Sequence, residues 1–435
     1  MTMQIKENLD TPVVSTHDVI VVGGGPAGVG AALAAARGGS NTLLVESYGF
    51  LGGMWTMGMV NPIFDYENKG GICQEIHDRI EAAGMGVRNG PDIWNFDVES
   101  MKRLLDQMAR EAGVHLLYHT AFSRPVLTDD AVQGIIVENK GGRSAYLAKV
   151  VIDCTGDGDI AMRAGAPYGV GRDKDGKAQP MTLMFRMSNV GYTQDYYRFR
   201  HYEENELIGK IDDALARAGI ANYPFNYRRP CILKVPGCHT ALCQVTHIRG
   251  RCAIDPADLT EAEIEGRQLV EEFFHLLKSY VPGFECAQLD TTGPHIGIRE
   301  SRHINGEYYL TLDDVRNHRR FEDGICTSTF WVDIHQPDGD NQEKQHNETL
   351  QTNFQIPYRC LIPLKVDGLL MAGRCISGSH EAHASFRVTG DCVAMGQAAG
   401  TAAALCVKSG LMPRALDGRA VVAQMIRDGA ICNAG

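Results

Sequence analysis

None of the 13 cysteines stands in a CxxC pair, which excludes a dithiol–disulfide centre of the thioredoxin kind. Cys231, Cys238, Cys243 and Cys252 fall near one another, but their spacing matches no tight ligand motif. Reduced, buried thiols are the expectation. A long basic run is also missing, and the net charge of -11 opposes binding to phosphate backbones, so no nucleic-acid partner is expected. No apolar stretch reaches the ~20 residues of a bilayer-spanning helix. The most apolar late segment, residues 393–407, is interrupted by Gln397 and Thr401 and is rich in Ala and Gly. The opening MTMQIKENLDTPVVSTHD carries acidic groups and no apolar run, unlike a secretory leader. A cytoplasmic protein is expected.

The chain's 435 residues exceed what one hydrophobic core supports, so two packed domains are expected. Hydrophobic residues at 44% and charged residues at 22% suit a globular enzyme. Residues 18–22 (DVIVV) read as a buried parallel strand. Gly23-Gly24-Gly25-Pro26-Ala27-Gly28 follows, then a small-residue helix over 27–37 stopped by Gly38-Gly39, then a second buried strand over 42–45. An amphipathic helix is predicted over 98–110, with Val98, Met101, Leu104, Leu105 and Met108 on one side. Strand-like pieces follow at 114–118, 132–137, 144–147 and 150–154. Residues 164–352 hold most of the aromatics and read as a mixed α+β unit, with strand pieces at 181–187 and 242–247. A helix capped at Thr260, with Glu263 three residues on, runs there to about Lys278. Returning strands at 355–370 and a helix over 391–408, stopped by Gly410, complete the chain. The fold class is α/β: a Rossmann-like domain over 17–163 and 353–435, with an inserted mixed α+β substrate domain over 164–352.

The glycine turn has a steric logic. Gly23 permits the tight exit from the strand, Gly25 lets a pyrophosphate approach the backbone, and Gly28 lets the helix pack close to the sheet. The helix N-terminus offers free N–H groups and a partial positive charge. Glu46 closes the second strand, where an acid accepts hydrogen bonds from a ribose diol. Strand, turn, helix and acid together predict a dinucleotide site.

The segment VIVVGGGPAGVGAALAAARGG…TLLVE…GFLGGMWT resembles the FAD-binding start of the glutathione-reductase-like flavoproteins. It is most similar to the FAD-dependent oxidoreductase family, with a first motif like those of fumarate-reductase flavoproteins and thiazole-forming flavoproteins. The resemblance extends through Asp153-Cys154-Thr155-Gly156-Asp157-Gly158-Asp159, Gly297-Ile298-Arg299-Glu300-Ser301-Arg302, residues 356–363 (IPYRCLIP), Ala372-Gly373-Arg374-Cys375-Ile376-Ser377 and Gly396-Gln397-Ala398-Ala399-Gly400-Thr401. It is thinnest over 192–226. The resemblance implies FAD as cofactor. Gly23, Gly25, Pro26, Ala27, Gly28, Glu46 and Ser47 would meet its adenosine and phosphates. Gly52, Gly53, Met54 and Trp55 would run toward the isoalloxazine, with Trp55 as a wall of the flavin pocket. Phe122 would lie by the adenine, and Thr155, Gly156 and Asp159 would close the first half. Gly373 and Arg374 would meet the ribitol–phosphate region, where related enzymes often carry Gly-Asp. A helix N-terminus near Gln397, with Ala398, Gly400 and Thr401, would favour an anionic reduced flavin.

Two residues are expected to act on substrate. His380, between two presumed FAD contacts, would move a proton during hydride transfer to flavin N5. Arg299 would clamp a carboxylate or stabilise an oxyanion. His383 and Arg302 are weaker candidates. Cys154 and Cys375 read as inert. Asp157 and Asp159 lack the further oxygen ligands of a metal site, so no metal is assigned. No second GxGxxG follows a strand: Gly169-Val170-Gly171 leads into Arg172-Asp173-Lys174-Asp175. A dedicated nicotinamide domain is therefore missing, and electrons would come from the substrate or from an electron-transfer partner. The leading expectation is dehydrogenation of a small organic molecule. The alternatives are a reductase fed by a partner carrier and a non-redox flavoprotein subunit. A homo-oligomer is compatible with the sequence.

Overall fold

The computed structural model describes residues 5–88, 94–191, 206–220, 230–237, 239–339 and 352–432. Cys238 and most of the unrecognised stretch 192–226 lie outside them. The chain begins with β1 (Val13–Val22), α1 (Pro26–Arg37) and β2 (Thr42–Val45), with β1 and β2 parallel. The last four residues of β1 and all of β2 are buried, as β-branched and leucine runs in a covered parallel sheet must be. α2 (Gly71–Ala82) and α3 (Val98–Glu111) follow. Asp97 caps α3 by accepting from Ser100 N, and Val98, Met101, Leu105 and Met108 are buried on it.

Next come β3 (His115–Leu117), β4 (Ala121–Thr128), β5 (Ala131–Asn139) and β6 (Gly142–Asp153). β6 is one continuous strand where the sequence suggests two. It pairs with β1 as far as Val22↔Asp153 and antiparallel with β5, so both neighbours hold it extended. β4 escaped the sequence pattern because it is half-exposed and carries Pro125, which weakens its apolar signal.

The inserted region contributes β7 (Phe185–Ser188), β8 (Cys231–Lys234), β9 (Thr240–Gln244) and β10 (Gln288–Thr292), an antiparallel sheet in the order β8-β9-β7-β10. Its long helix, α4 (Pro256–Tyr280), starts a turn before the expected cap. Asp255 accepts from the N–H groups of Ala257 and Asp258, and Pro256 occupies the first helical position, a stronger start than Thr260. Thr260 instead donates to the Pro256 carbonyl, and Glu263 accepts from Ile296 N.

The chain then returns through β11 (Leu369–Met371), α5 (His380–Phe386) and α6 (Thr389–Ser409), which ends at Gly410 with φ 72°. β11 lies parallel to β6 and completes a seven-stranded sheet of order β3-β2-β1-β6-β5-β4. α6 lies against α1. A Cβ on Gly396 would sit 1.9 Å from the Ala27 carbonyl oxygen, and one on Gly400 would sit 2.1 Å from that of Ala31. These glycines therefore set the helix–helix distance.

Two cores result. One surrounds the large sheet, and the other lies between the small sheet and α4. β8 divides between them with the period of a strand: Cys231 and Leu233 face the first core, Ile232 the second. Ile304, Leu310, Val315, Ile325 and Val332 pack in the first core. We therefore propose that the inserted unit is centred on residues 181–298 rather than filling 164–352. Among the described residues the cysteines are free, and most are buried; Cys286 is exposed and Cys252 partly so. Among those residues no helix is long and apolar enough to cross a membrane.

Candidate functional site

The C-terminal ends of β1, β2, β6 and β11 open on a cavity of about 1520 Å³, lined there by Val22, Val45, Cys154 and Ala372. Ligands of open parallel sheets bind at this edge. Gly25, Pro26 and Ala27 line the cavity, and α1 starts beside them with no side-chain cap. Its first N–H groups and its positive end are thereby left for an anionic ligand. A Cβ added at Gly25 would meet nothing nearer than Gly53 Cα at 3.8 Å. Gly23 lines the cavity as well, whereas Gly28 does not. Their added Cβ atoms would lie 2.3 Å from the Cys154 oxygen and 1.7 Å from the Gly23 oxygen, so close packing requires glycine at both.

Glu46 lines the cavity beside Ser47. Its Oε2 accepts from Gly24 N at 2.6 Å, and its Oε1 from Tyr48 N at 2.9 Å and Ser47 Oγ at 3.0 Å. Oε2 keeps a lone pair for a ribose hydroxyl. Phe122, Thr155, Gly156 and Asp159 also line the cavity. An uncapped helix end, an open glycine and an anchored acid fit the phosphates and ribose of FAD.

The loop after Glu46 divides. Gly53 and Met54 line the cavity, whereas Gly52 and Trp55 do not. Gly52 stands at φ 112° and donates its N–H to the Gly24 carbonyl at 2.7 Å, holding the loop against the glycine turn. Trp55 is fully buried, edge-on to Phe96, and is not a cavity wall. The cause is the 3₁₀ turn Gly53–Trp55, which rotates successive side chains by about 120° and sends Met54 and Trp55 different ways.

Gly373 and Arg374 line the cavity. Arg374 Nη2 donates to Asp157 Oδ1 at 2.8 Å, so this guanidinium is already tied to a carboxylate. Arg302 likewise donates to Asp159 Oδ1 at 2.9 Å. The helix end expected near Gln397 lies about two turns earlier, at Thr389. Val388, Thr389 and Cys392 reach the cavity, while Gln397, Ala398, Gly400 and Thr401 lie outside its lining. Gln397 Oε1 accepts from Ile72 N at 2.9 Å, and Gly400 touches α1.

Of the two expected catalytic residues, Arg299 lines the cavity, donating through Nη1 to the Pro180 carbonyl at 2.7 Å and to Thr182 Oγ1 at 2.6 Å. His380 does not line it. As the first residue of α5 it turns to Glu300, with Nδ1 2.7 Å from Oε1. Cys154 and Cys375 have thiols pushed well up by burial, which leaves them unreactive.

The cavity also holds residues that sequence reasoning missed: Phe330, Trp331, Asp333, His335 and Arg387. Arg387 Nη2 donates to Asp333 Oδ2 at 3.1 Å, and His335 Nε2 lies 3.3 Å from the same oxygen. His335 Nδ1 is 2.8 Å from His247 Nε2. A carboxylate only accepts, so His335 carries its proton on Nε2 and accepts from His247 at Nδ1. Burial first, and then the Arg299 charge, push His335 down to about 4, so it is neutral near pH 7. Burial works to raise Asp333, but His335 and Arg387 outweigh it and keep the carboxyl low and ionised. The local signal was the run Phe330-Trp331-x-Asp333-x-His335. Nothing in the sequence near Arg387 pointed to Asp333.

Residues 18–425 match the pattern of the family described as FAD dependent oxidoreductase. A thiamine thiazole synthase from Methanococcus vannielii is 30% identical over 151 residues, which cover 32% of this chain and 56% of that protein. One from Aeropyrum pernix is 29% identical over 170 residues, covering 35% and 59%. The matches thus span a little over half of those relatives' own lengths. A geranylgeranyl bacteriochlorophyll reductase-like protein from Thermoplasma acidophilum is similar with a TM-score of 0.48 at 16% identity, over 95% of this chain and 82% of that one. The p-nitrophenol 4-monooxygenase of Pseudomonas putida gives 0.49 at 13% identity, over 94% and 84%.

Proposed function

The chain belongs to the FAD dependent oxidoreductase family, and from that premise we propose that it dehydrogenates a small anionic organic substrate. FAD, when bound, supplies the acceptor for the hydride that leaves the substrate carbon. The observation that carries the reading is the cavity itself. At about 1520 Å³ it exceeds the roughly 1,000 Å³ of a large single-ligand pocket, and residues besides the dinucleotide cradle share its lining.

Arg299 and Arg387 place two guanidiniums on that lining, which suits a carboxylate. Phe64, Phe330 and Trp331 supply apolar walls and exclude water, with the Phe330 and Trp331 rings stacked at 4.0 Å. The substrate's second hydrogen leaves as a proton. The Asp333 carboxylate takes it, accepting the substrate's O–H or N–H, while neutral His335 stays bonded to the carboxyl through its Nε2–H. Asp333, positioned by His335, thus takes the proton role that the sequence suggested for His380. Arg299 helps to hold His335 low, so an anion seated on Arg299 relieves that field and makes the imidazole a better base.

Anaerobic mixing tests the reading. Small carboxylates bearing an oxidisable C–OH or C–NH should bleach the flavin without any carrier. Bleaching only by a partner protein or a reduced carrier would favour the reductase alternative and defeat the proposal. In a turning-over system, Arg299→Leu should raise KM about 10- to 100-fold.

The pH profile is a second check. A cationic His335 would make the adjoining Asp333 carboxylate a weaker base, so activity should fall on acidification. In kcat/KM, which reports the free enzyme, the acid limb should lie near His335's value of about 4 rather than near 6.5. In kcat the limb should lie higher, because bound anion offsets Arg299. Coincident limbs near 6.5, unchanged in His335→Gln, would refute the assignment.

A further inference from the structure

We propose that Glu300, His303 and His383 bind a divalent transition metal of the zinc or ferrous type, in a closed site behind the cavity wall. One Glu300 carboxylate oxygen and one ring nitrogen from each histidine all lie within 4.8 Å of one another. All three residues are buried, and none lines the cavity. The proposal stands apart from the dehydrogenation reading and from the dinucleotide cradle.

His383 is the residue that demands an explanation. It is 0% exposed, and among the described residues neither Nδ1 nor Nε2 has a hydrogen-bond partner. A buried imidazole ordinarily satisfies at least one nitrogen, through a hydrogen bond or a metal. His303 raises the same question more sharply. Its Nδ1 lies 2.8 Å from the Gly378 carbonyl oxygen, which can only accept, so Nδ1 carries the proton. In the neutral ring Nε2 then holds a lone pair, 3.0 Å from Glu300 Oε1. Two lone pairs at that distance call for a cation between them, a proton or a metal ion, and the unpartnered His383 beside them selects the metal.

The surroundings resemble those of a metal-binding set. The Gly378 carbonyl fixes the His303 tautomer, as outer partners of ligating histidines do. Glu300 is oriented twice, its Oε1 accepting from His380 Nδ1 at 2.7 Å and its Oε2 from Gln179 N at 2.8 Å. The two ligand rings stand 4.5 Å apart. Nearby Arg374 and Arg387 do not bring uncompensated charge, being paired with Asp157 at 2.8 Å and Asp333 at 3.1 Å. Two imidazoles and one carboxylate are the donors of zinc and of non-haem ferrous iron, not of calcium or magnesium. Enclosure makes the ion a staple between the strand Arg302–Ile304 and α5 rather than a substrate-activating centre. The sequence hid the set because Glu300 and α5 stand 80 residues apart.

The test uses the full chain with its flavin, treated with chelator and titrated with Co²⁺ and then Zn²⁺. About one equivalent of Co²⁺ should bind, with visible bands of low-symmetry nitrogen–oxygen coordination and no thiolate charge-transfer band. The double variant His303→Ala/His383→Ala should lose at least about 10-fold in Co²⁺ affinity while retaining its flavin absorbance. His77→Asn should leave binding unchanged, which separates the other trio, His77, Asp78 and Glu81, whose two carboxylates are exposed. Absence of uptake by wild type, a thiolate band, or uptake that survives in the double variant each overturns the proposal. If the double variant does not fold, the wild-type stoichiometry and spectrum decide alone.

Discussion

Gly25→Val is expected to weaken FAD binding at least ~100-fold, about 2.7 kcal/mol, while the flavin-free protein folds as before. The separation of these two effects follows from geometry. Gly25 has φ -69° and ψ -176°, an extended conformation open to any residue, so the backbone carries no penalty. Its added Cβ would meet nothing within 3.8 Å, so the new side chain enters the cavity instead of clashing with protein. There it would occupy the approach to the uncapped start of α1, whose N–H groups attract phosphate. Gly28→Val is the contrasting control: a Cβ only 1.7 Å from the Gly23 oxygen forces the helix off the strand, and the protein should fail to fold. Fluorescence titration with FAD and thermal melting of the flavin-free proteins measure both. Undiminished FAD affinity in Gly25→Val would show that the phosphates bind elsewhere.

Lys69→Met should cost about 3–5 kcal/mol of stability, read by urea denaturation at constant m. Lys69 is buried, and its Nζ contacts Asp391 at 2.8 Å, Asp65 at 2.7 Å, Asn68 at 2.7 Å and the Thr327 carbonyl at 2.5 Å. Methionine keeps the volume but leaves two carboxylates facing each other without a cation. Burial already pushes Asp391 up, to about 8, against the pull of Lys69. Removing the lysine raises it further. A carboxyl whose folded value lies above its unfolded value favours the folded state at low pH and loses that advantage as pH rises through the folded value. The deficit of Lys69→Met should therefore be largest in alkali and shrink toward pH 5. A deficit under about 1 kcal/mol, or one independent of pH, would mean that the cluster tolerates charge imbalance.

The parts of this protein that were legible in its sequence are those whose partners lie close in the chain. The strand–turn–helix start, the acid at Glu46 and the stop of α6 at Gly410 each rest on contacts within about a turn, or within one βαβ unit. The differences between sequence pattern and structure share a cause. The family motif places Trp55 by the flavin, but the 3₁₀ turn Gly53–Trp55 carries it into the core against Phe96. Thr260 fits the local capping pattern, which does not weigh it against Asp255-Pro256. Gln397 lies away from the cavity because the small residues around it serve the contact with α1.

The sequence by itself determined the nucleotide fold, because that fold is encoded by glycine stereochemistry and by apolar runs that need no distant information. It also determined the absence of a second nucleotide fingerprint. Tertiary structure alone decided which ionisable groups share the cavity. Arg299, Asp333, His335 and Arg387 come from separate segments, and burial and mutual charge, not residue type, make His335 neutral and Asp333 ionised. It likewise turned His380 to Glu300 and left His383 without a hydrogen bond among the described residues, since a side chain's partners are set by the packing of elements far apart in the chain.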